Sequence, residues 1–332
     1  MHLIFMGTPD FAVPSLRALV NAGHRVSAVY TQPDRPSGRG QKLTASPVKQ
    51  TAIELGLPVE QPAKLRAPEV VAALEAAKPD AMVVVGYGQI VPRSILAIPP
   101  LGIVNVHGSL LPKYRGAAPI QWSVANGDTE TGVTTMLINA GLDTGDMLLK
   151  ASCPIGPDET TPTVWNRLAE MGAELLVETM QRLEAGTLQP EPQDDSQSTY
   201  ASMLKREDGL VDWQRTAQDI YNRYRGFQPW PGAWTWFRNG RLQIKEMRPA
   251  DETVPTPGAL AVRGKRLFVG CANGGSVELL RVQLEGKGPV AVEAFLNGAQ
   301  LQPAERFAAT ADPAPSPVPD TNSAEPGSAP AH

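Results

Sequence analysis

The sequence predicts an α/β protein: a doubly wound, mostly parallel sheet followed by a smaller antiparallel β-barrel. Three observations lead there. The chain opens HLIFM, a strand run, and turns at Gly7-Thr8-Pro9-Asp10 into a stretch where Phe11, Leu16, Leu19 and Val20 make one apolar helical side. The run AMVVV at 81–85 is apolar throughout, as a strand buried on both faces of a parallel sheet must be. Beyond residue 240, short alternating runs at 242–247, 258–262, 266–270 and 276–284 are joined by glycine turns such as Asn273-Gly274-Gly275. The first half therefore reads as a Rossmann-like sheet and the second as an OB-like barrel.

Each element has a local reason. Thr8 is placed to cap the first helix, with Pro9 at its first position. RVSAVYT at 25–31 is the second strand, and 57–60 a short third. Ser46 caps, and Pro47 starts, a helix to Leu55. The alanine-rich stretch 68–77 is a helix stopped by Lys78-Pro79. Pro119 begins a helix that Asn126-Gly127 closes. Residues 132–138 and 147–151 read as a hairpin around a glycine-rich loop. Thr161-Pro162 caps a long helix to about Glu184, its apolar stripe formed by Val164, Leu168, Met171 and Leu175. The division predicted is a catalytic domain over 1–186, a polar linker over 187–203, a barrel over 204–308 and a disordered Pro/Ala tail over 309–332. Phe227, Trp230, Trp234, Trp236 and Phe237 read as barrel core rather than a base-stacking surface.

The chemistry concentrates in Gly102 to Pro119, GIVNVHGSLLPKYRGAAP. Ile103, Val104 and Val106 make a buried strand that Gly108 and Pro112 end. Asn105 and His107, two apart, point the same way at the strand's carboxyl end, where open α/β sheets bind ligands. The amide can donate to an oxygen gaining charge as a carbonyl carbon becomes tetrahedral. The imidazole can move a proton at the same centre. Asp143, in the loop Asn139-Ala-Gly-Leu-Asp-Thr-Gly-Asp146, is the candidate carboxylate to fix that imidazole or relay the proton. Taken singly, Asn-x-His is more often a satisfied strand edge, and an Asp between glycines ordinary turn chemistry.

Taken whole, NVHGSLLPKYRGAAPI followed by GLDTGD resembles the family of formyltransferases that use 10-formyltetrahydrofolate. The resemblance implies that Asn105, His107 and Asp143 are the catalytic trio. It implies that Ser109, Leu110, Leu111 and Pro112 line the folate site, with the turn Gly86, Tyr87, Gly88 and on to Ile90 facing the pterin. It implies that the second domain holds an RNA. The loop from Gln32 to Leu43 carries Arg35, Arg39 and Lys42 among prolines and glycines. It reads either as a solvated connection or as a basic loop ordered by a phosphate backbone. In members acting on initiator methionyl-tRNA a similar loop enters the acceptor stem, which favours the second reading and points to Arg39.

Composition is compatible with this. Net charge is −4, hydrophobic content 42% and charged content 19%, as in soluble globular proteins. Charge is uneven, since cations outnumber acids over 204–308. G-x-G-x-x-G and the Walker P-loop are both missing, which argues against dinucleotide and P-loop readings. Cys153 and Cys271 give neither metal spacing nor a disulfide framework. The predicted reaction needs no metal, and the expected setting is a cytoplasmic monomer. Competing readings are a formyltransferase for an amino-sugar nucleotide or glycinamide ribonucleotide, a folate-dependent hydrolase, and a non-catalytic RNA-binding protein.

Overall fold

The computed structural model describes residues 1–37, 42–302 and 305–308. They form two compact units: Met1–Gly209 with Tyr221–Gly232, and Leu210–Ile220 with the chain from Ala233. The stretch 221–232, assigned to the barrel by sequence, thus belongs with the first unit. Its Phe227 packs there against Ala118, Ala125 and Leu204.

The strands of the first unit are β1 (His2–Gly7), β2 (Arg25–Tyr30), β3 (Arg35–Ser37), β4 (Lys42–Thr44), β5 (Val59–Glu60), β6 (Ala81–Val85), β7 (Ile103–His107), β8 (Arg115–Gly116), β9 (Glu130–Leu137), β10 (Met147–Pro154) and β11 (Tyr200–Ala201). Seven make one sheet in the order β10-β9-β7-β6-β1-β2-β5. Pairing is parallel from β7 to β5, while β9 and β10 are antiparallel. The helices are α1 (Val13–Asn21), α2 (Pro47–Glu54), α3 (Pro68–Ala77), α4 (Arg93–Leu96), α5 (Pro119–Ala125) and α6 (Thr161–Glu184).

Strand alternation assigns side chains to the two faces. Leu3, Phe5, Val83, Val85, Val104 and Val106 join the core made with α1, α2, α5 and α6. Ile4, Met6, Met82, Val84 and Ile103 face the other way, into a smaller core completed by Leu74 of α3 and Ile95 of α4. Asn105 and His107 continue the face of Ile103, so polar side chains take over that face towards the end of β7.

Several starts differ from expectation. Thr8 does not cap: its hydroxyl donates to the Tyr87 carbonyl at 2.9 Å, and a 3-10 turn at Asp10–Ala12 precedes α1. Thr161 lies inside α6 and donates to the Gly226 carbonyl. Ser46 does cap α2, accepting from Lys49 N. The flanks of the basic loop pair as the β3–β4 hairpin, which its composition did not announce.

The second unit is antiparallel, with β12 (Ala233–Phe237), β13 (Gly240–Ala250), β14 (Leu260–Arg263), β15 (Arg266–Gly270), β16 (Ser276–Leu284) and β17 (Val290–Ala291). Strand order is β12-β13-β16-β15-β14, with β17 also on β16. Arg306 bridges to Ala259 beside β14, and Ala308 to Trp236 of β12, so the same short segment joins both edges and closes the barrel. Trp234 and Phe237 are buried as expected, whereas Trp230, in the first unit, is exposed. Among the described residues no helix is long and apolar enough to cross a membrane. The tail predicted over 309–332 lies outside the described residues.

Candidate active site

From β1 the chain runs outward to β2 and β5, then returns to β6 on the other side of β1. The carboxyl ends of β1 and β6 are therefore the switch point at which such sheets form a ligand crevice. The turns there, Gly7-Thr8-Pro9 and Gly86-Tyr87-Gly88, pack against each other. A Cβ on Gly86 would lie 2.9 Å from Pro9 Cγ, and both Gly86 and Gly88 have positive φ, at 57° and 84°. Bare backbone is thus presented beside β7, and the Ile90 side chain stands almost wholly exposed next to it. Such a surface fits a flat, partly apolar ring.

On β7, Asn105 pairs with Val84 and Met136, and His107 with Thr134. Both side chains are largely buried. His107 Nε2 lies 2.9 Å from the Tyr114 carbonyl. A carbonyl only accepts, so Nε2 carries a proton, and the tautomer this selects has its lone pair on Nδ1. Nδ1 faces Asp143 Oδ1 at 3.8 Å. That separation is too long for a direct hydrogen bond, so Tyr114 rather than Asp143 orients the imidazole. Asp143 is held from its other oxygen, Oδ2, which accepts from Gly116 N at 2.9 Å. Tyr114 is itself fixed: its phenol donates to Asp128 at 2.8 Å, and burial pushes that phenol up to about 12, keeping it a donor.

The remaining folate candidates separate into two kinds. Ser109 is fully buried and its hydroxyl donates to the Lys113 carbonyl at 2.6 Å; its own carbonyl accepts from Thr134 Oγ1. Leu111 is buried against Met136 and Met147. These two side chains brace the turn, leaving Leu110 and Pro112 partly exposed. Tyr87 likewise points inward, with its ring in the core beside Tyr30, and offers only backbone to the crevice.

A family profile described as "Formyl transferase" matches residues 1–180, and one described as "Formyl transferase, C-terminal domain" matches 203–300. The methionyl-tRNA formyltransferase of Solibacter usitatus is 55% identical over 308 residues, covering 92% of this chain and 98% of that protein. That of Acidobacterium capsulatum is 54% identical, covering 93% of this chain and all of its own length. This chain belongs to the methionyl-tRNA formyltransferase family. Among solved structures, the N-formyltransferase of Helicobacter canadensis, in complex with folinic acid and dTDP-3-aminofucose, superposes with a TM-score of 0.61. It is 19% identical, with 83% of this chain and 98% of that one covered, so it attests the shared fold.

Of the basic residues this formyltransferase carries in its loop, Arg35 starts β3 and approaches Gln32 at 3.5 Å; Lys42 opens β4; Arg39 lies outside the described residues. Sequence reasoning missed Tyr114, Gly116 and Gln193 as supports. Gly116 has a signal, since its φ of 115° and a carbonyl 2.6 Å from its would-be Cβ exclude a side chain. Gln193 has none. Gly145, two residues beyond Asp143, is closer still: a Cβ there would sit 1.7 Å from the Leu137 carbonyl. Gly145→Ala is therefore expected to push the Asp143 loop outward, lowering kcat at least tenfold. An unchanged kcat would show that the loop moves without consequence.

Proposed function

We propose that this protein transfers the formyl group of 10-formyltetrahydrofolate to the α-amino group of methionine esterified to initiator tRNA. The observation that carries the reading is the meeting of Asn105, His107 and Asp143, from two distant segments, beside the switch-point crevice. The crevice takes the folate, with its pterin against the Gly86–Gly88 backbone and Ile90. The Asn105 amide donates to the formyl oxygen as the carbon becomes tetrahedral. An α-amino group titrates near about 8, so a modest base suffices. Two N–H groups of one amine, each at roughly 2.9 Å, reach both His107 Nδ1 and Asp143 Oδ1 across their 3.8 Å gap. His107 Nδ1 takes a proton as the new C–N bond forms and returns it to the folate nitrogen as the old bond breaks. The role of Asp143 is to hold the amine in line. The reaction so drawn uses no metal.

Arg35, Arg39 and Lys42 are assigned to the phosphates of the acceptor stem. Contacts of that kind weaken as salt rises. Formylation of methionyl-tRNA, measured as kcat/KM at two salt concentrations, should fall with salt in the wild type. It should be lower and flatter in Arg39→Ala, with the KM for the folate unchanged. Absence of formylmethionine in the wild type overturns the assignment. Equal rates in both proteins at both salts overturn the role of the loop.

A further inference from the structure

Residues 187–203, composed like a connector, grip both segments that hold the reacting groups. Glu191 and Met147 exchange two backbone hydrogen bonds of 2.8 Å just beyond the Asp143 loop. Gln193 Nε2 donates to the carbonyls of Asp143 and Gly145, both at 2.8 Å. Its Oε1 accepts from Arg115 Nε at 2.9 Å, and Arg115 also pairs with Asp195 at 2.7 Å. Farther on, Thr199 Oγ1 accepts from Tyr114 N at 2.8 Å, and β11 pairs in parallel with β8.

These bonds close a ring around Asp143. Its carboxylate is held by Gly116 N; Gly116 follows Arg115 in β8; Arg115 holds Gln193; and Gln193 holds the backbone carbonyl of Asp143. The backbone of Asp143 needs such restraint, because its φ of 51° lies in the left-handed region where a non-glycine residue persists only if its surroundings impose it. The side chain at stake stands at 3.8 Å from His107 Nδ1, and an ångström of misplacement at a reacting centre can cost about 100-fold in rate.

We propose that Gln193 is a positioning residue for formyl transfer: its carboxamide fixes the Asp143 loop at the distance from His107 at which the two share the incoming amine. This rests on the reading of Asn105, His107 and Asp143 as the reaction centre. The donor half of the carboxamide is the operative part. A glutamate in its place keeps an acceptor for Arg115 but offers the two carbonyls no N–H, and its charge repels them.

The experiment is single-turnover formylation of methionyl-tRNA by Gln193→Ala, Gln193→Glu, Asp143→Ala and the Gln193→Ala/Asp143→Ala double variant, with Tm measured for each. Both Gln193 variants should lose at least tenfold in the transfer rate, with KM for tRNA and folate within about twofold and Tm nearly unchanged. With no carboxylate left to position, Gln193→Ala should cost almost nothing further in the Asp143→Ala background. A wild-type rate in Gln193→Glu, or an undiminished loss in the double variant, overturns the proposal and leaves Gln193 as a strut for Arg115. A near-normal rate in Asp143→Ala overturns the reaction-centre reading itself, and the proposal with it.

Discussion

His107→Ala and Asp143→Ala are each expected to lower kcat for formyl transfer by about 10²–10⁴-fold, the usual worth of a positioned proton-transfer group, while folate still binds. Their double variant should lose far less than the product of the two losses, since in the proposed mechanism both act on one amine. The structure gives this its form. Tyr114 already fixes the imidazole through Nε2, so removing Asp143 does not release the ring. What would be lost in the proposed mechanism is the second contact to the nucleophile, across the gap of 3.8 Å. Asn105→Ala is expected to cost about 2.7–4 kcal/mol in the barrier, as the loss of one oxyanion donor does elsewhere. Rapid-quench measurement of the transfer step checks all four, and near-normal turnover in any of the three single variants would remove that residue from the mechanism.

The largest effect on stability is expected at Glu278, on β16 of the barrel. Its carboxylate is buried yet accepts from Arg266 Nε at 2.6 Å and Nη2 at 2.8 Å, and from Arg248 Nε at 2.9 Å. Arg266 first, and then Arg248, hold its carboxyl down to about 2, against the opposing effect of burial. The folded value lies below the unfolded one, so the unfolded state binds the proton more readily. The stabilisation is therefore fully present above about pH 4.5 and is lost as pH falls towards 2. Both guanidiniums are more than half exposed and screened by solvent, so the full shift overstates its worth; about 2 kcal/mol is expected. Glu278→Gln should lose about that much at pH 7, and its stability should change less than that of the wild type between pH 5 and 2. Parallel pH curves for the two proteins would contradict the linkage.

What the sequence revealed of this depends on whether the cause was local. The alternation of β7 announced that Asn105 and His107 share a face, and the apolar run of β6 announced a buried central strand. Asp143 could be offered from its loop as a candidate carboxylate for His107, and the resemblance strengthened that, but tertiary proximity across so many residues leaves no periodic trace. For Tyr87 the sequence left open whether side chain or backbone meets the crevice, since a turn flanked by glycines does not say which way its middle side chain points; here the ring fills the core and the backbone is what remains. Thr8, a cap by composition, is drawn instead to the Tyr87 carbonyl of the neighbouring turn. Residues 187–203 were legible only as a connector. Polar, proline-rich chain looks the same whether it is solvated or hydrogen-bonded to a catalytic loop, and Gln193 differs from any surface glutamine only in its partners.

The most direct measurement is acceptor selectivity. Purified protein with 10-formyltetrahydrofolate is offered, separately, methionyl initiator tRNA, the same tRNA uncharged, free methionine, an amino-sugar nucleotide and glycinamide ribonucleotide, and the fate of labelled formyl is followed. Formylmethionine is expected on the charged tRNA at a rate far above every other acceptor, with no release of formate in the absence of an amine. Faster transfer to the sugar nucleotide or the ribonucleotide, or formate release independent of the acceptor, would contradict it.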